Sequence, residues 1–304
     1  MWRGLRRVAA GGVGLVAVFG VAACGSGGGR SGSSGGQSAS AVGQAGAAQA
    51  VETAYRSTAG EKTAAFRIEE TVNAAGSGGA SANETITGSG QADLASHAFS
   101  VSMNNPSGAG TEIIWSGGME YVRLPASQRS TIPGHKPWVG VNMTKVAQAK
   151  LRGSSSELAA PNTSDPGQAL AQLAAVSSGV SKAGAGTVAG VPVTGYRAHL
   201  SLDKLASQVQ AMYGTEAAQG VRQEEQILGT SLPVQVWVDA QHLVRQIRYQ
   251  IPVPAAAGGS GGGTATETMT FTSFGAPVTI TPPPASQVAD ITGQAIQHAQ
   301  ARSG

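Results

Sequence analysis

"PVQVWVDAQHLVRQIRYQI", residues 233–251, reads as two strands and a turn. Val234, Val236 and Val238 fall on one face and Gln235 and Trp237 on the other, the two-residue period of a half-buried strand. Asp239 opens a turn, where its side chain can accept from nearby backbone amides. The chain returns with Leu243, Ile247, Tyr249 and Ile251 sharing a face and Arg245 among them. Trp237 lies on the face away from this apolar row. It covers an outer helix or an edge, or it touches a membrane interface, where tryptophan is favoured.

Similar segments lie on both sides. In "TAAFRIEETV" Ala64, Phe66, Ile68 and Val72 share a face that Glu70 interrupts, and "HAFSVSM" aligns Phe99, Val101 and Met103. "TEIIWSGGMEYVRLP" (111–125) is a hairpin about Gly117-Gly118. "VSKAGAGTVAGVPVTGYRAHL" (180–200) is a strand pair broken at Gly190, and "TETMTFTSF" pairs Met269 with Phe271. "VTITPPP" then leaves the sheet, because proline cannot continue a ladder. Helical stripes stand at 46–60 (Val51, Ala54, Tyr55, Thr58, stopped at Gly60), 142–152, 164–176 and 202–213, with residues 215–228 extending the last or forming another. The order is β-rich, helical, β-rich. It predicts an α+β fold with one curved antiparallel sheet built from both ends, a half-barrel of about ten strands wrapped around helices.

Composition narrows the function. The chain has 20 Lys and Arg against 17 Asp and Glu, but Arg3, Arg6 and Arg7 lie in the first seven residues. From residue 24 onward the two signs balance at 17 each, so nothing points to nucleic acid. Residues 8–23 are uncharged and apolar or small, a run of 16, shorter than the roughly 20 that span a bilayer. Behind the basic start they read as a signal peptide, 1–23. Val21-Ala22-Ala23-Cys24 resembles the lipobox of bacterial lipoproteins. The resemblance implies cleavage before Cys24, a diacylglyceryl group on its thiol, and a body held at the outer face of the cell membrane. Two acyl chains hold stably where one holds only reversibly. Cys24 is the single cysteine, which excludes an internal disulfide and a cysteine zinc cluster. With residues 25–45, rich in Gly and Ser, it forms a tether over 24–45, whose end-to-end distance is roughly 25 Å. The folded domain is then 46–293, with a tail at 294–304.

Four segments, "GGMEYVRLP…KPWVGVN" (117–142), "GTVAGVPVTGYRAHL" (186–200), the opening hairpin, and "VTITPPPASQVADI" (278–291), together resemble the LppX/LprG group of actinobacterial lipoproteins, of the LolA/LolB-like superfamily. The resemblance implies an apolar cavity between sheet and helices, a lipid or lipoprotein ligand, no cofactor and no catalysis. The inward apolar residues are then the candidate ligand surface: Phe66, Ile68, Phe99, Val101, Met103, Val236, Val238, Ile247, Tyr249, Met269 and Phe271. The alternative is that they pack against the helices and the protein is an envelope interaction or sensor module without a cavity. Small side chains dominate many strands, which favours the alternative.

Motifs for other chemistry are missing from the sequence. The five histidines are scattered without ligand spacing, and there is no G-x-S-x-G elbow. Glu69-Glu70 and Glu224-Glu225 read as solvated faces, and Gly258–Gly263 as a hairpin loop.

Overall fold

The structure is a computed structural model that describes residues 37–75, 81–104, 110–150, 166, 169, 179–213, 215–253 and 263–301. Twelve strands form one sheet: β1 (Thr63–Ala75), β2 (Ser81–Asp93), β3 (Ala98–Asn104), β4 (Thr111–Ser116), β5 (Met119–Arg123), β6 (Trp138–Asn142), β7 (Ser181–Val188), β8 (Val191–Ser201), β9 (Ser231–Asp239), β10 (Val244–Val253), β11 (Gly263–Phe274) and β12 (Val288–Asp290). Their order is β12-β6-β5-β4-β3-β2-β1-β11-β10-β9-β8-β7, a curved sheet that does not close. β1 pairs with β11, so the N-terminal and C-terminal β runs meet at the centre, as the two-ended arrangement requires.

Two features differ from the expectation. There are twelve strands, against about ten, and β12 pairs with β6 in parallel, so the sheet is mixed. Residues 278–284 take no strand pairing, and the closing strand comes after the prolines. Pro277 and Pro282–Pro284 carry no N–H for a ladder, so the segment stays unpaired, and a 3₁₀ turn at Ala285–Gln287 then brings Val288 to Trp138.

Five helices accompany the sheet among the described residues: α1 (Gln37–Ala59), α2 (Met143–Lys150), α3 (Leu202–Tyr213), α4 (Thr215–Leu228) and α5 (Thr292–Ala301). α1 begins at Gln37, ahead of the expected 46, and α5 runs past 293, so both expected domain boundaries fall inside helices. Residues 37–45 hold Gln, Ala, Val and Ser around a single glycine, a composition that permits a helix once the C-terminal half is packed. Of the expected helix at 164–176, Pro166 and Ala169 are helical and the rest lies outside the described residues.

Side-chain caps fix where the helices start. The Asn142 carboxamide oxygen accepts from the Lys145 amide at 2.9 Å, and the Ser201 hydroxyl from the Lys204 amide at 3.2 Å. Asp290 accepts from the Thr292 amide at 2.8 Å, and bonds from Thr292 hold its carboxyl below the usual carboxylate range. The Thr292 hydroxyl in turn accepts from the Asn142 amide at 2.8 Å, which locks β12 and α5 onto β6.

Turns behave as their residues dictate. Gly117 and Gly118, both at positive φ, make the two-residue β4–β5 turn. The β7–β8 turn has Ala189 at φ 48° and Gly190 at φ 82°. An L-residue with a Cβ is disfavoured there by roughly 1–2 kcal/mol. Ala189→Asn should therefore raise the stability by about 1 kcal/mol, read as an upward shift of the thermal midpoint.

Candidate functional site

The inner face of the sheet is built by alternation across paired strands. Phe66 lies beside Phe271 and Ile68 beside Met269, and the row continues through Ile247 to Val236. On the other side Phe66 faces Gly90, which faces Val101, which faces Ile113. Every inward residue singled out from the sequence is buried: Phe66, Ile68, Phe99, Val101, Met103, Val236, Val238, Ile247, Tyr249, Met269 and Phe271. All belong to one apolar cluster. Cys24 lies outside the described residues.

Among the described residues, three helices contribute side chains to this face. α1 supplies Ala47, Val51 and Ala54, α3 supplies Leu202, Leu205 and Ala206, and α4 supplies Ala218 and Val221, all buried in the same cluster. The Val51, Ala54, Thr58 stripe is the expected one. A buried hydroxyl pins the end of α1: that of Thr58 donates to the Ala54 carbonyl at 2.7 Å and accepts from the Val244 amide at 2.8 Å.

The small residues of β2 have a packing role. A Cβ on Gly90 would stand 2.7 Å from Phe66 Cζ, and one on Gly88 would meet the Met103 sulfur. The Phe66 ring and the Met103 thioether therefore lie over glycine. Trp115 lies opposite Phe99, with ring centroids 6.4 Å apart and planes nearly parallel.

The inner face also carries carboxylates, which the sequence reading missed in part. Glu69 is exposed as expected, but Glu70 points inward and is half-buried. It sits opposite the buried Glu267 of β11, which in turn sits opposite Tyr249 of β10. Burial, then the Glu84 charge, pushes the Glu70 carboxyl above its ordinary value. Burial and Glu267 likewise raise the Tyr249 phenol, whose hydroxyl donates to the Ala169 carbonyl at 3.2 Å. Burial also raises Glu120, which lies opposite Trp115 on the inner side. The signal for Glu70 was present in its parity with Phe66 and Ile68.

A carboxyl raised on folding favours the folded state below its unfolded value of 4.5 and loses that contribution as pH rises through the folded value. Glu70→Gln should therefore leave stability unchanged at pH values below this range. At neutral pH it should raise stability by about 0.5–1 kcal/mol, because the variant no longer holds a half-buried charge near Glu84. Denaturant titrations at the two pH values check this.

His97, His135, His199 and His242 are exposed, and three of them occupy left-handed turn positions. No group of three or more metal-ligating residues forms among the described residues, and no described helix is long and apolar enough to cross a membrane.

A curved open sheet with its apolar face on helices agrees with the α+β arrangement expected from the sequence. The structure is similar to the crystal structure of the Mycobacterium tuberculosis lipoprotein LppX, at 12% identity and a TM-score of 0.40, covering 78% of this chain and 99% of that one. It is similar to LprF from Mycobacterium bovis at 13% identity and a TM-score of 0.41, covering 79% and 98%. A LolA superfamily protein from Nitrosomonas europaea follows at 10% identity and a TM-score of 0.27, covering 79% and 96%. These likenesses concern the fold alone. No protein-family model and no curated protein matches the chain.

Proposed function

We propose that this protein is an envelope lipoprotein, anchored through Cys24 at the outer face of the membrane, that binds or carries an apolar or acylated lipid between sheet and helices. The observation that carries this reading is the apolar inner face itself, where Phe66, Phe99, Phe271, Met103, Met269 and Ile247 gather on one side of an open sheet against helices. An acyl chain entering between sheet and helices gains about 0.8 kcal/mol per buried methylene. The role is passive and needs no catalytic group.

One observation favours the second reading, an interaction or sensor module with a self-filled interior. Phe66 and Met103 occupy the space left by Gly90 and Gly88, so this part of the inner face is packed by the chain's own side chains. Solvent extraction of the purified protein, followed by mass spectrometry, separates the two. The lipid reading predicts a reproducible acyl lipid in near-stoichiometric amount. Its repeated absence, with no uptake of a fluorescent fatty acid, selects the second.

A further inference from the structure

The outer face of the sheet carries a feature that ligand binding does not use. Trp237 on β9 packs against β8, where a Cβ on Gly195 would stand 3.2 Å from the indole nitrogen. The Arg248 guanidinium stands over the indole at 5.3 Å, and its Nε is buried without a hydrogen-bond acceptor among the described residues. Register places Arg197 of β8, Gln235 of β9 and Arg248 of β10 in one row on this face. Thr268 of β11 and Glu69 of β1 continue the row, and Arg67 lies one step along β1. Arg67 and Arg197 are exposed. The other nearby acid, Asp239, is matched by Arg245 at 2.6 Å. The stripe therefore holds three arginines against one carboxylate, around an indole.

We propose that this outer stripe, Arg67, Arg197 and Arg248 about Trp237, docks on the surface of an anionic bilayer. The proposal rests on the membrane anchor proposed above. Twelve residues separate Cys24 from Gln37, and a Gly/Ser-rich stretch of that length has a typical end-to-end distance of about 20 Å. At such a distance a weak patch suffices, because tethering supplies a high effective concentration. Each cation near an anionic surface favours contact roughly fivefold, and an indole beside the headgroups adds to this.

The test uses the processed form, residues 24–304 with Cys24→Ser, so that neither acylation nor the apolar signal peptide plays a part, mixed with phosphatidylcholine vesicles with and without phosphatidylglycerol. The proposal predicts tighter binding to the anionic vesicles, weakened by salt and reduced about fivefold for each arginine removed in Arg67→Gln/Arg197→Gln. That double variant leaves Arg248 on Trp237, so the packing of the stripe is kept. Equal binding by parent and double variant overturns the proposal, as does equal binding to vesicles with and without phosphatidylglycerol. Failure of the anchor itself would appear separately, as an exported wild-type protein whose mass lacks the lipid.

Discussion

Replacing Asp239 with alanine should lower the unfolding free energy by about 3–5 kcal/mol, the usual cost of breaking one side of a buried ion pair. The Asp239 side chain is fully buried and accepts from the amides of Gln241 and Leu243, each at 2.9 Å, and from Arg245 Nε at 2.6 Å. Its removal strands three donors at the β9–β10 turn. The loss should extend beyond the turn, because Leu243 leads into Val244, whose amide holds α1 through Thr58. Arg245 also stacks on Phe274 at 5.2 Å, so an unpaired guanidinium would stay against an aromatic ring, away from water. Urea unfolding measures the effect. Asp239→Ala combined with Arg245→Met should recover part of the loss, because the stranded charge is then gone.

Gly90→Val should cost about 3 kcal/mol or more, at the upper end of overpacking. The new Cβ would come 2.3 Å from the Ser100 carbonyl oxygen and 3.0 Å from Val101 Cα, both backbone atoms of the paired strand. A rotamer change cannot relieve contacts with backbone. The Phe66 ring, 2.7 Å from the same position, would also have to move. Adding Phe66→Ala to Gly90→Val therefore should not rescue stability. It frees the ring clash and leaves the Ser100 clash, and it opens a cavity besides. Thermal and urea midpoints of the single and double variants distinguish the two sources.

The opening hairpin was legible because alternation is strict there: Val234, Val236 and Val238 against Gln235 and Trp237 can sit only one way on a half-buried sheet. The same parity picked out inner-face residues that the structure gathers into one cluster. Gly88 and Gly90 were harder to read, since their role depends on Met103 and Phe66 arriving from adjacent strands. β12 was illegible for a related reason. A three-residue strand that pairs in parallel with β6, after a run of prolines, leaves no periodic signal. Glu70 was visible on the inner face by parity but read as solvated, because sequence does not show that Glu267 stands opposite it. Sequence also gives the facing of Phe66 or Met269 without the distance between sheet and helices, and that distance separates a packed core from a ligand surface.

The central claim, that an acyl chain enters between sheet and helices, is tested most directly by fluorescence quenching with a brominated fatty acid. Trp115 lies on the inner face against Phe99, whereas Trp237 lies on the outer face beneath Arg248. Saturable quenching that disappears in Trp115→Phe and persists in Trp237→Phe is the predicted result. No quenching at saturating fatty acid, or quenching unchanged by Trp115→Phe, would contradict it.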